Sequence, residues 1–132
     1  MFRRVSIIKT INDKFAFLTS CDFTITQSHL RNEHCWSYSN NEYEIRVLYD
    51  DEVLSDMLKR NYNHKYVMEV IIAEKGVNRC LYDRYDLFGA EKVDLLKAQI
   101  GMLESQLPQA NLLGRINLYA EFLRENIEQL LK

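Results

Sequence analysis

The sequence predicts an α+β fold: an N-terminal helix, then an antiparallel sheet of four or five strands, then a C-terminal helical hairpin. Two observations predict it. Near both ends of the chain apolar residues recur every three or four positions, the period of an amphipathic helix, whereas through the middle they alternate with polar residues, the period of a strand. Because the strands are grouped rather than interleaved with helices, a doubly wound parallel sheet is not expected.

The N-terminal helix is predicted over residues 3–20. Its apolar positions step by three and four along one face, and they are Ile7, Ile8, Ile11, Phe15 and Leu18. A shorter helix that begins at a cap on Asn12 or Asp13 fits the same residues. Either version places one apolar face against the rest of the protein.

Residues 22–50 alternate with a period of two. Phe23 and Ile25 alternate with threonines, and a second alternating run surrounds Trp36. The pair Asn40-Asn41 predicts a turn, because asparagine tolerates the left-handed conformation. The strand after it has one apolar face, formed by Tyr43, Ile45, Val47 and Tyr49. A sheet with one buried and one solvated face favours antiparallel pairing.

Residues 51–64 fit two interpretations. Val53, Leu54 and Met57 have helical spacing, so a short helix capped by Asp50 or Asp51 is one, and an irregular excursion between strands is the other. Strand character returns over residues 66–73, where Tyr66, Met68, Val70 and Ile72 share a side. A turn at residues 74–76 then predicts that residues 77–82 pair back as a hairpin.

Residues 89–132 predict two helices joined by a short link. Pro108 interrupts the helical period, because proline lacks an amide and clashes with the preceding turn. Gly101 and Gly114 would permit close approach of the helices. These helices have more leucines than one apolar face needs. We expect them to pack in the core, and the alternative is a dimer contact. They are Leu112, Leu113, Leu118, Leu130 and Leu131.

Composition bounds the class of protein. The 132 residues are one domain's length, and one proline and four glycines leave no room for a linker, so residues 1–132 form a single domain. With 17 basic and 19 acidic residues the formal charge is −2, so non-specific nucleic-acid binding is not expected. Three cysteines without C-x-x-C spacing suit a reducing compartment. Neither a signal peptide nor a membrane span is expected, so we expect a cytoplasmic protein.

No pattern in the sequence predicts catalysis, a metal or a cofactor. His34 and Cys35 are adjacent on a predicted strand and would face opposite sides of the sheet. The other histidines and cysteines lack ligand spacing, and the glycines are too far apart for a phosphate-binding loop. A buried, unreactive cysteine is the more frequent case than a nucleophile. We therefore expect a protein that is not an enzyme.

Two segments are candidates for partner binding. The acidic run Asp50-Asp51-Glu52 follows a strand, where its alternative role is that of a solvated loop with helix-capping duty. The segment Tyr82-Asp83-Arg84-Tyr85-Asp86 combines tyrosine and arginine, which anchor protein interfaces, with acids that suit a basic partner. The alternative for its tyrosines is a half-buried position at the sheet edge.

The order of these elements resembles that of small bacterial immunity proteins from polymorphic or contact-dependent toxin systems. The stretches that carry the likeness are the end of the first helix at residues 15–18, the aromatic hairpin at residues 36–50, and the final helix at residues 119–131. The resemblance implies a cytoplasmic protein that binds and blocks one cognate toxin domain, such as a nuclease with a basic active site. It supplies no catalytic residues.

Two other classes of function stay open on the sequence. One is a structural or adaptor protein that forms a homodimer through its C-terminal helices. The other is a small ligand-binding domain or enzyme with a pocket between sheet and helices, which perturbed ionisable groups would mark.

Overall fold

The computed structural model describes residues 4–74 and 76–131, with side chains from Ile7 onward. Its helices are α1 (Arg4–Phe15), α2 (Phe17–Ser20), α3 (Asp51–Arg60), α4 (Tyr85–Phe88), α5 (Ala90–Met102) and α6 (Pro108–Asn126). Its strands are β1 (Thr24–Leu30), β2 (Glu33–Ser39), β3 (Glu44–Asp50), β4 (Met68–Glu74) and β5 (Val77–Cys80). Short 3-10 turns cover Lys65–Val67, Leu81–Asp83, Leu103–Ser105 and Ile127–Leu130. The predicted α+β class is confirmed.

The five strands form one antiparallel sheet in the order β1-β2-β3-β4-β5. Alternate residues of β2, β3 and β4 are buried, and they join one hydrophobic core with α1, α3, α5 and α6. Trp36 of β2 lies in this core and donates from Nε1 to Oδ1 of Asn12 on α1, at 2.6 Å. The intervening residues, such as Cys35 and Leu48, are only partly buried on the other face of the sheet.

Helix α6 anchors the segment that enters β4. The guanidinium of Arg115, which is 4% exposed, donates to the carbonyl oxygens of His64, Lys65 and Met68 at 3.3, 2.7 and 2.9 Å. These carbonyls lie in the turn before β4 and at its first residue, and the buried arginine supplies donors to them.

The break between the two C-terminal helices falls before Pro108, as expected. That proline is the first residue of α6, a position where its missing amide costs no hydrogen bond. Of the five surplus leucines, Leu112 and Leu130 are buried, Leu113 and Leu118 pack partly buried against the core, and Leu131 is 40% exposed. Gly114 permits close approach, since a Cβ there would lie 2.8 Å from Leu103 Cδ2, whereas Gly101 faces open space.

Several boundaries differ from the sequence-based expectation. The first helix divides into α1 and α2 at Ala16, and its predicted start at Arg3 lies outside the described residues. Tyr66 falls in a 3-10 turn and is 54% exposed, because β4 begins only at Met68. Tyr82 likewise follows β5 in a turn. Of the predicted turn at residues 74–76, Lys75 is outside the described residues, and Gly76 has a φ of 85°.

Strand β1 differs most from its predicted pattern. Alternation predicts one buried face, but all seven residues of β1 are exposed, and Ile25 is 42% exposed. Phe23, just before the strand, is the residue of this run that enters the core. The difference arises because β1 is the edge of the sheet, where its side chains extend past the core that the helices cover.

Candidate functional site

Asp50 lies where β3 ends and α3 begins. Its backbone is extended, and its Oδ1 accepts hydrogen bonds from the amides of Glu52 and Val53 at 2.9 and 3.0 Å. Both amides belong to the first helical turn, where no intrahelical acceptor exists. Residues 51–60 thus form a helix rather than an irregular excursion. The two hydrogen bonds hold the Asp50 carboxylate at the start of that helix.

Asp51 is turned toward the interior. Its Oδ2 lies 2.9 Å from Nε2 of His34, and the two side chains are 19% and 9% exposed. The His34 ring stacks on that of His29, with the centroids 4.0 Å apart and the planes 11° from parallel. Asp51 therefore joins β2 to α3 and presents little carboxylate surface to a partner.

Glu52 and Asp56 lie one turn apart on α3, and contacts within the chain hold both. Asn32 donates from Nδ2 to Glu52 at 2.7 Å. Tyr62 donates its hydroxyl to Asp56 at 2.6 Å, and Arg60 lies 2.9 Å from the same carboxylate. The hydrogen bond from Tyr62, assisted by Arg60, lowers the pKa of Asp56 below its ordinary value. Asp56 therefore stays ionised at neutral pH.

Four carboxylates surround this end of the sheet, and we call them the acidic rim: Glu33, Asp50, Glu52 and Asp56. Glu33 joins the rim because it pairs with Asp50 in the β2–β3 register. Three of the four border an open groove of about 580 Å³, whose wall also includes Lys59, Tyr62 and His64. The rim thus combines fixed negative charge with a concave surface.

The segment at residues 82–86 is organised around a buried arginine. Arg84 is 1% exposed, and it donates to the carbonyl of Ile72 at 2.9 Å, to Glu74 at 3.0 Å and to both oxygens of Asp86 at 3.0 and 2.9 Å. The hydrogen bond from Arg84 lowers the pKa of Asp86 below its ordinary value. Because its guanidinium is buried and hydrogen-bonded within the chain, Arg84 is not placed to contact a partner.

Asp83 and Tyr85 of this segment contact α5. Lys97 donates to the Tyr85 hydroxyl at 2.8 Å and lies 3.8 Å from Asp83, and Tyr85 donates in turn to Asp94 at 3.0 Å. Tyr82 is half-buried, and burial raises the pKa of its phenol. Asp83, Tyr85 and Asp86 are exposed, but nearby cations offset the charge of both acids.

The structure does not bring the two segments together. Asp50 ends β3 where β4 begins, whereas Arg84 contacts Ile72 and Glu74 near the end of β4. The four steps from Met68 to Ile72 alone span about 13 Å. Each segment is therefore a separate surface, and the acidic rim carries the less compensated charge.

Two of the cysteines, Cys35 and Cys80, are shifted away from the reactive thiolate. Cys21, Cys35 and Cys80 are free and partly buried. Burial raises the pKa of the Cys35 and Cys80 thiols, which is opposite to the shift that activates a nucleophile. Within residues 4–74 and 76–131 no group of three or more His, Cys, Asp or Glu side chains is arranged to hold a metal ion. Over the same residues, no helix has the length and hydropathy to cross a membrane.

Reasoning from the sequence missed Glu33 and Asp56 as members of the rim. Asp56 follows Glu52 at i+4, so helical periodicity could have placed them on one face. Glu33 depends on the β2–β3 register, for which the signal is the turn at Asn40-Asn41, since extending that hairpin places Glu33 opposite Asp50. The inward turn of Asp51 had no local signal, because His34 is 17 positions away.

Comparison with known proteins does not assign this arrangement to a family. No family model matches the chain, and no curated protein or solved structure gives a significant match.

Proposed function

We propose that this chain is a non-enzymatic protein-binding domain that neutralises a cognate bacterial toxin, and that its acidic rim contacts a basic surface of that toxin. The observation that carries the proposal is that Asp50, Glu52 and Asp56 border one open groove, with Glu33 beside Asp50 on the neighbouring strand. A toxin that acts on nucleic acid has a basic active site to bind phosphates, and such a site is complementary to this rim.

The internal contacts of the rim support this proposal. Asp50 is fixed by the helix it caps, Glu52 by Asn32, and Asp56 by Tyr62 and Arg60. Side chains that are already ordered lose less entropy on binding. Complementary charge at a rim also accelerates association and selects against acidic competitors. Pre-positioned carboxylates therefore suit fast and selective capture of a basic partner.

The test uses the product of the neighbouring gene in the native host. Its C-terminal domain is expressed with and without this chain, and both growth rescue and a one-to-one complex are measured. Glu52→Lys should weaken the complex roughly tenfold and reduce its salt dependence, because it reverses one rim charge. Glu125→Lys makes the same charge change on an exposed site of α6 and should leave binding unchanged.

Either of two results contradicts the proposal. One is that the chain neither binds the neighbouring product nor protects cells from it at low salt. The other is that Glu52→Lys and Glu125→Lys bind equally well, since the rim would then contribute nothing to recognition.

A further inference from the structure

Strand β1 is an edge without the usual protection against pairing. Its sequence, Thr-Ile-Thr-Gln-Ser-His-Leu, contains no Lys, Arg, Asp, Glu or Pro. Its ladder with β2 runs through seven consecutive pairs, from Thr24↔Ser39 to Leu30↔Glu33, without a bulge. Charges, prolines and bulges are the devices that keep edge strands from pairing with another chain. The opposite edge, β5, has only four residues and carries Arg79.

The direction of the backbone groups of β1 follows from two hydrogen bonds at the ends of the β2–β3 pair. Asn40 donates its amide to the carbonyl of Tyr43 at 3.0 Å, and the carbonyl of Asn32 accepts from Asp51 at 2.9 Å. The backbone of even-numbered residues in and beside β2 therefore faces β3. Because the N–H and C=O groups of successive residues point to opposite sides of a strand, the backbone groups of odd-numbered residues in β2 face β1.

Their register partners on β1 are the even-numbered residues, so these face β2. The amide and carbonyl groups of Ile25, Gln27 and His29 consequently point away from the sheet. No described strand lies beyond β1 to receive them. The outer edge thus offers three donors and three acceptors in a row.

We infer that a second copy of this chain pairs along β1, antiparallel, about a two-fold axis at Gln27. In this register Gln27 faces Gln27 of the second copy. Ile25 of each copy faces His29 of the other. Each such pair exchanges two backbone hydrogen bonds, so all six outward groups of each copy are satisfied. The two sheets become one sheet of ten strands.

The chemistry of the edge favours a second copy over a foreign strand. In the two-fold register Thr26 faces Ser28, and Thr24 faces Leu30, so no like charges oppose each other. An edge with Lys, Arg, Asp or Glu at this axis would oppose like charges, whereas β1 has none of these residues and is self-complementary. It offers no counter-charge to the basic partner that suits the acidic rim. The two rims lie at opposite ends of the joined sheet and stay open.

Sedimentation equilibrium over a wide range of concentrations tests the inference. The chain should reach twice its monomer mass reversibly. Gln27→Pro removes one outward amide from each copy, which leaves the ladder to β2 intact because that amide does not face β2. It should weaken the dimer roughly thirtyfold, corresponding to two lost hydrogen bonds. A chain that stays monomeric throughout overturns the inference.

Two variants of opposite charge distinguish loss of dimerisation from loss of folding. Gln27→Lys and Gln27→Glu each place like charges at the two-fold axis and should be monomeric, whereas their equimolar mixture should form a heterodimer. Leu95→Lys, at an exposed apolar site on α5 (60% exposed), should leave the dimer unchanged. A dimer that Leu95→Lys breaks and Gln27→Lys does not would place the contact on the C-terminal helices instead.

Amide hydrogen exchange provides a position-specific readout. At concentrations where the chain is dimeric, the amides of Ile25, Gln27 and His29 should exchange slowly, and in Gln27→Pro those of Ile25 and His29 should exchange fast. The amides of Thr26 and Ser28, which face β2, should be protected in both. Fast exchange at residues 25, 27 and 29 within a dimer would overturn the proposed register.

Discussion

At the scale of single residues, the buried guanidinium of Arg84 is the most demanding feature of the molecule. A charged group at 1% exposure is tolerated only when its donors are satisfied and its charge is paired. Arg84 meets both conditions through Ile72, Glu74 and Asp86. It thereby fastens the segment after β5 to the end of β4.

Removing this side chain should be costly. Arg84→Ala leaves a buried carbonyl without its donor and two carboxylates without their cation, so we expect a loss of about 3 kcal/mol in the free energy of unfolding. This is the lower end of the range for a broken buried pair, because Glu74 and Asp86 are 28% and 53% exposed and regain water. Urea unfolding measures it, with Arg79→Ala on the exposed edge as control. Equal losses in both variants would contradict the structural role.

The same contact predicts a dependence on pH. The pKa of Asp86 is lowered in the folded state, so its contribution to stability is fully present above the ordinary aspartate value of about 3.9 and is lost as the pH falls through the lowered value. Because Asp86 is half exposed, we expect less than about 1 kcal/mol. Asp86→Asn should flatten the acid limb of stability against pH in urea titrations, whereas Glu125→Gln should not. An unchanged acid limb in Asp86→Asn would contradict this assignment.

Individual side-chain roles were the least accessible part of the sequence analysis. The composition of Tyr82–Asp86 predicts a partner surface that includes its arginine, whereas the structure buries Arg84. Burial of Arg84 requires Ile72 and Glu74 of β4, and only the β4–β5 register brings them there. Asp51 shows the same difficulty, since its direction is set by His34 of β2.

At the scale of elements, hydrophobic periodicity predicted the type and order of the secondary structure. It succeeded for β3 and α6 because each buries one complete face, and burial is what periodicity records. It predicted the wrong burial for β1, where Ile25 alternates with threonines as in a covered strand. Alternation shows that a strand is amphipathic, but the position at the sheet edge decides whether its apolar side is covered.

Helix α3 allows stability and binding to be separated at Asp50. Asp50→Ala removes the acceptor for two first-turn amides and should destabilise the protein by about 1 kcal/mol. Asp50→Asn keeps a capping oxygen but removes the charge, so it should retain stability while weakening a complex formed through the acidic rim. Thermal unfolding and binding to the neighbouring gene product measure the two effects. If Asp50→Asn bound like the parent chain, Asp50 would serve the helix alone.

At the scale of the whole molecule, one hydrophobic cluster joins both ends of the chain. It includes Ile7 of α1, Trp36 of β2 and Leu130 in the last 3-10 turn. Asn40 of the β2–β3 turn also donates to the carbonyl of Leu130 at 2.8 Å. Contacts that connect the first helix, the sheet and the final turn oppose independent unfolding of any one of them.

We therefore expect the chain to unfold in a single cooperative step. Trp36 is the only tryptophan and is fully buried between β2 and α1, so its fluorescence reports on the contact of sheet and helix, while circular dichroism at the helical band reports on the helices. Coincident denaturation curves are expected, and helices that melt before the Trp36 signal changes would contradict the single domain. If β1 pairs two copies, the midpoint should also rise with protein concentration. In Gln27→Pro that rise should begin only at roughly thirtyfold higher concentration, since the weakened dimer forms later.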